Sequence, residues 1–193
     1  MPILGIIASS RLTAAPTSYE SISTVTVGSG GAANIEFTSI PATYSHLQIR
    51  GIVKSNDTAD DRQPVKAIFN SDTGNNFSRH LLFGNGSSAT YDDGTSTTSR
   101  LGASVISNFG SYANMFTAYI IDILDYADTN KYTTVKVLGG FNTNDATASN
   151  FSQIALGSFA WLNTAAITSI QLQPFNNNFV QYSQFALYGI KGS

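Results

Sequence analysis

Short alternating runs, cut apart by clusters of turn-forming residues, recur along the whole chain and are clearest between Phe151 and Lys191. There FSQIALGSFAW, ITSIQLQPF and VQYSQFALYGIK follow one another, and Tyr188-Gly189-Ile190 lies almost at the last residue. Alternation with period two puts successive side chains on opposite faces, which is the signature of a half-buried strand. The same pattern appears at Ser21–Val27, Asn34–Thr38, His46–Val53, Val65–Asn70 and Arg79–Phe83, then at Leu101–Ser107, Phe116–Leu124 and Tyr132–Leu138. In His46–Val53, for example, Leu47, Ile49, Gly51 and Val53 fall on one side, and His46, Gln48, Arg50 and Ile52 on the other.

The separators are rich in Gly, Asn, Asp, Ser and Thr, which make turns by tolerating positive φ or by bonding to nearby backbone. Gly28-Ser29-Gly30-Gly31 reads as the loop of a hairpin joining Ser21–Val27 to Asn34–Thr38. Asn85–Ser99 reads as the longest surface loop and the segment best placed to meet a partner. No segment supports a helix longer than two turns; Pro41–Tyr44 and Asn163–Ala166 allow one short turn each. The expected fold is therefore all-β, an antiparallel two-sheet β-sandwich, jelly-roll-like, of ten to eleven strands. Residues 19–193 form one domain, and residues 1–18 are either an N-terminal arm or a first edge strand.

That N-terminal segment carries the apolar group Ile3, Leu4, Ile6 and Ile7. Three readings stay open: an edge strand, an arm exchanged with a neighbouring subunit, or a removed leader. The run is short and has no basic residue before it, so a secretory signal is the weakest of the three. No apolar stretch reaches the length of a membrane-spanning helix, about 18 residues, and a soluble, unprocessed chain is expected.

Composition excludes several functions. Charged residues are 11% of the 193 positions, with 24 Ser, 20 Thr and 16 Asn in their place. The 42% hydrophobic content, including 12 Phe and 9 Tyr, is nonetheless that of a folded chain. A net charge of −2, with scattered Lys and Arg, gives no footprint for nucleic acid or an anionic membrane. With no cysteine there is no disulfide, thiolate nucleophile or cysteine-ligated metal.

Candidate chemistry is sparse. Asp72-Thr73-Gly74 matches the aspartic-protease triplet, but Asn70-Ser71 before it and Asn75-Asn76 after it describe a polar type I turn. His46 and His80 both sit in strand segments, and no G-x-S-x-G elbow accompanies them. Two Glu, Glu20 and Glu36, and mostly loop-borne Asp leave little for a glycosidase pair. Asp122, inside a strand, calls for a structural partner such as Arg50 or a backbone amide. Asp57, Asp60 and Asp61, and Asp92 with Asp93, could offer Ca²⁺ hard oxygen ligands, yet solvated acidic loops are the plainer reading. No catalytic, metal or cofactor site is assigned. Trp161, Phe175, Phe179 and Tyr182 flank Asn176-Asn177-Asn178, and rings beside amides can stack on and bond to sugars. Trp161, Phe175, Asn177, Phe179 and Tyr182 thus form a candidate glycan or partner loop, with ordinary core packing as the simpler account.

The segments MPILGIIASS, YESISTVTVGSGG, FTSIPATYSHLQIRG, FNSDTGNNFSRHLLFGNG, DILDYADTNKY and QYSQFALYGIK carry a likeness to a known group. Along essentially its whole length the chain resembles small virion proteins of tailed bacteriophages, of the cyanophage type. The resemblance implies a non-enzymatic structural protein on the particle exterior. Its expected form is a homo-oligomer, most simply a trimer, acting as a capsid decoration or cement protein on the major capsid protein. In that role Pro2–Leu12 would dock onto the shell or a sister subunit. The alternative is a tail-fibre or receptor-binding module holding host glycan through a loop end.

Overall fold

In the computed structural model, residues 18–59, 62–97, 104–106, 114–143 and 152–192 are described. They form β1 (Tyr19–Thr26), β2 (Ile35–Phe37), β3 (His46–Val53), β4 (Arg62–Phe69), β5 (Phe77–Gly84) and β6 (Ala89–Thr97). The chain continues through β7 (Ser104–Ile106), β8 (Thr117–Leu124), β9 (Thr133–Phe141), β10 (Gln153–Trp161), β11 (Ile170–Pro174) and β12 (Gln184–Ile190). Every strand pair is antiparallel. The strands divide into an eight-stranded sheet, β1-β12-β3-β8-β9-β10-β5-β6, and a four-stranded sheet, β2-β11-β4-β7. The fold is the expected two-sheet sandwich.

Alternation supplies the core. Leu47, Ile49 and Val53 of β3, Tyr119, Ile121 and Ile123 of β8, and Val135 and Val137 of β9 face inward from the large sheet. They meet Ile35, Phe37, Val65, Ala67, Phe69, Ile170 and Leu172 of the small one. Burying one such side chain contributes about 1.5–3 kcal/mol, which makes this layer the main source of stability.

Two features differ from the sequence reading. Ser21–Val27 and Asn34–Thr38 are not a hairpin, because β1 pairs with β12 and β2 with β11, in different sheets. The glycine-rich loop between them crosses from one layer to the other. Gly31 sits there at φ 72°, and a Cβ on it would lie 2.9 Å from the Phe179 carbonyl oxygen, so only glycine lets the two backbones meet. Nor is Asn85–Ser99 an open loop: most of it is β6, paired with β5 and forming the sheet's edge. Asn85 turns the chain with its own side chain, Oδ1 accepting from the Ser87 and Ser88 amides at 3.0 and 2.9 Å, beside Gly86 at φ 91°. An edge strand made of Thr, Asp and Ser resists pairing with stray chains, and that polarity is what made it read as loop.

The C-terminal strand is internal, hydrogen-bonded between β1 and β3. The arm residues Ile3, Leu4, Ile6 and Ile7 lie outside the described residues.

Candidate functional site

Because facing residues in an antiparallel sheet sit side by side, the outer face of the large sheet is organised in rows that cross the strands. One row is Tyr91–Leu82–Leu156–Leu138–Ile120, from β6 through β5, β10 and β9 to β8. It stands as an apolar ridge, with Leu82 and Leu156 56% and 55% exposed. The next row, Ala89–Gly84–Ile154–Gly140–Ala118–Ile52, is low at its four Ala and Gly positions, while Ile154 and Ile52 stand out from it, 62% and 57% exposed. Over the β8–β10 part of this row lies a shallow depression of about 420 Å³, bordered by Ala118, Ile120, Leu138, Gly140, Asn142 and Ile154. A second hollow of about 370 Å³, on the ridge's other flank, involves His80, Leu82, Lys136 and Leu156.

Beyond the ridge the row Asp93–His80–Ser158–Lys136–Asp122–Gln48–Tyr188 is polar. Its β8–β3–β12 portion is tied down. Gln48 Nε2 donates to Asp122 Oδ1 at 2.7 Å, and Gln48 Oε1 accepts from the Tyr19 hydroxyl at 2.6 Å and from Arg50 Nε at 3.0 Å. Tyr19 stacks on Tyr188 with ring centroids 4.7 Å apart. Burial in this cluster pushes the Tyr19 phenol up, against the opposing pull of the Arg50 charge. Asp122 therefore bonds to Gln48, which links it to Arg50. Gln48 and Tyr19 escaped the sequence reading because neither type advertises a site.

The large face thus has two halves. From β1 to β3 it is a fixed polar network; from β8 to β6 it is an apolar ridge beside a trough. A contiguous exposed apolar patch marks an interaction surface far more often than a lone exposed leucine does.

The five residues of the candidate glycan loop are not brought together. Trp161 ends β10 at one end of the sheet, is 1% exposed, and packs edge-on against Phe69. Phe179 is fully buried against Phe185 at the other end. Phe175 is half-buried beneath the Lys66 ammonium, 4.6 Å from its ring centre. Only Asn177 and Tyr182 are exposed, at φ 60° and 72°. The Asn176–Asn178 segment is fastened to the body by Asn178, whose amide donates to Asn56 Oδ1 at 2.8 Å while its carbonyl accepts from the Asn56 amide at 2.9 Å.

Several of the remaining candidates have structural partners. The Asp72 carboxylate accepts from the Gly74 amide at 2.9 Å, from Asn76 Nδ2, and from Trp161 Nε1 at 2.8 Å, so the triplet is an Asx turn that holds the tryptophan. Just before it, Asn70 and Ser71 both have positive φ, and the Asp72 amide closes onto the Phe69 carbonyl at 2.8 Å. That is the primed turn suited to a tight reversal, and not the type I turn expected. His46 Nδ1 accepts from the Asp125 amide at 3.0 Å, and His80 lies against the Tyr91 ring. Asp92 pairs with Arg79 at 2.9 Å. Asp57 is buried, with Oδ1 accepting from the Ala59 amide, while Asp60 and Asp61 lie outside the described residues. Among the described residues no three acidic or histidine side chains converge to hold a metal ion. No protein-family profile and no curated protein sequence matches the chain.

Proposed function

We propose that this chain is a structural subunit of a tailed-phage particle, a capsid decoration or cement protein that works by docking. The observation that carries the reading is the apolar ridge and trough on the outer face of the large sheet. A patch of this kind is costly to leave in water and gains free energy once covered. The resemblance of the sequence to small virion proteins names the setting. The architecture suits it: a wide antiparallel sandwich without cysteine does not depend on an oxidising compartment. In this reading the arm Pro2–Leu12 attaches to the shell, and the body assembles with its neighbours on the particle's exterior.

Deleting Met1–Leu12 tests the attachment. The truncated chain is expected to keep its β-sheet circular dichroism and to lose co-sedimentation with particles that lack the native protein. Full retention on particles would remove the arm from the docking role. Electron cryomicroscopy of whole particles tests the setting: density on the capsid shell supports the cement role. Density confined to the tail would favour receptor binding, with Tyr182 and Asn177 as the first residues to probe for glycan contact.

A further inference from the structure

We infer that two copies of this chain pack outer face to outer face, related by a two-fold axis that runs across the strands between the ridge and the trough. The inference goes beyond the virion reading and does not rest on it, since it concerns the purified chain alone.

The face is complementary to itself. A two-fold axis lying in the interface turns each copy over so that its ridge lands on the other's trough, while every strand stays above its own counterpart. Each ridge residue then faces the partner's residue two positions along the same strand. Tyr91 faces Ala89, Leu82 faces Gly84, Leu138 faces Gly140, and Ile120 faces Ala118. Four of the five contacts set a large side chain on a small one; only Leu156 on Ile154 sets large on large. Alternation of large and small across facing positions is what lets two sheets interdigitate at the usual spacing of about 10 Å. The strands remain parallel in axis, which lies within the roughly 30° range of strand directions that aligned sandwiches use.

Gly84 strengthens the case. A Cβ there would touch nothing closer than the Ser88 carbonyl oxygen at 3.5 Å, an ordinary contact, and its φ is not in the left-handed region. Nothing among the described residues calls for glycine at this place in a strand, whereas a neighbour's Leu82 would. Gly140 differs, because a Cβ on it would come within 2.9 Å of the Gln153 carbonyl oxygen.

The size also fits. Five strands about 4.8 Å apart and four rows about 6.8 Å apart give a footprint of roughly 650 Å² per copy before side-chain relief. Standard interfaces cover about 800 Å² per partner. Asp93, His80, Ser158 and Lys136 frame the ridge on its far side, and Asn142 and Ser152 lie past the trough, so a polar rim surrounds an apolar centre. A trimer, as the resemblance implies, would need a separate contact.

Sedimentation velocity of the full chain at micromolar concentration is the test, with Leu138→Asp, Gly84→Val and Tyr182→Ser as variants. The wild type and Tyr182→Ser are expected to run at twice the 20.5 kDa chain mass. Leu138→Asp and Gly84→Val should self-associate at least tenfold more weakly, with circular dichroism and thermal midpoint of the monomer unchanged. Gly84→Val is the more telling variant, since it adds apolar surface and β-propensity and would strengthen any non-specific association. A monomeric wild type overturns the inference, as does an oligomer that survives both substitutions. A full chain that stays monomeric but pairs once Met1–Leu12 is removed would also overturn it, by making the arm the occupant of this face.

Discussion

Replacing Asp72 with alanine is expected to lower the thermal midpoint by about 5–12 °C and to shift the emission of Trp161, the chain's one tryptophan, to longer wavelength. The indole Nε1 donates to Asp72 at 2.8 Å, and the ring is otherwise buried against Phe69. Without its acceptor the N–H is left buried and unpaired, which costs about 1–3 kcal/mol. The lost bonds from Gly74 and Asn76 open the turn between β4 and β5 and bring the total to about 2–4 kcal/mol. A chain of this length loses roughly 2–4 °C per kcal/mol. The pH dependence gives a second readout. Burial raises the Asp72 pKa, but the bonds from Asn76, Trp161, Gly74 and Asn163 outweigh it and hold the carboxyl below its ordinary 3.8. A carboxyl depressed in the folded state adds stability above its unfolded value, and that contribution disappears as pH falls through the folded value. The gap in midpoint between wild type and Asp72→Asn should therefore be widest near neutrality and narrow below about pH 4. An unchanged midpoint and emission in the alanine variant would show that the turn and the indole are held by other contacts.

The same region shows how far the sequence could be read. Alternation located nearly every strand because each buries one face in a common core. It failed for β6, where Tyr91 is the only large apolar residue among Thr, Asp and Ser. It also failed to join β1 to the right partner. Tyr19 pairs with Ile190 at the far end of the chain, and no local signal reports so distant a contact. The outer ridge was hidden for a more instructive reason. In β10 the run Ile154-Ala155-Leu156-Gly157 is apolar on both faces, and size alone would send Ile154 and Leu156 inward. The sheet does the reverse: Ala155 and Gly157 are buried, and the space over Gly157 is taken by the rings and branches of Phe159 and Leu81. The candidate loop aromatics misled in the opposite sense. Trp161 and Phe179 stand next to polar loops in sequence, yet both are buried in the core.

Glycines opposite aromatic rings recur in this core, and Gly51 is the sharpest case. Substitution of Gly51 by valine is expected to cost about 3 kcal/mol or more and to lower the thermal midpoint by about 6–12 °C. Gly51 is paired in register with Phe185, whose ring edge covers it; a Cβ would fall 2.3 Å from Cδ1 and 2.4 Å from Cε1. The ring cannot swing away, because Phe185 is fully buried and meets Phe179 edge-on with centroids 5.6 Å apart. Phe179 in turn exchanges backbone bonds with Ala32 at 2.8 and 3.0 Å, so displacement would reach the loop that joins the two sheets. Phe185→Ala alone should also destabilise, by about 3–5 kcal/mol, through the cavity it leaves. The two changes share one space, and valine at 51 would fill part of that cavity. The double variant should therefore be more stable than the sum of the singles predicts, by about 0.5–3 kcal/mol. Denaturant titration of all four proteins measures that difference. Strict additivity would mean that Gly51 is glycine for some reason other than the ring, and that the strand rather than the aromatic contact resists a side chain there.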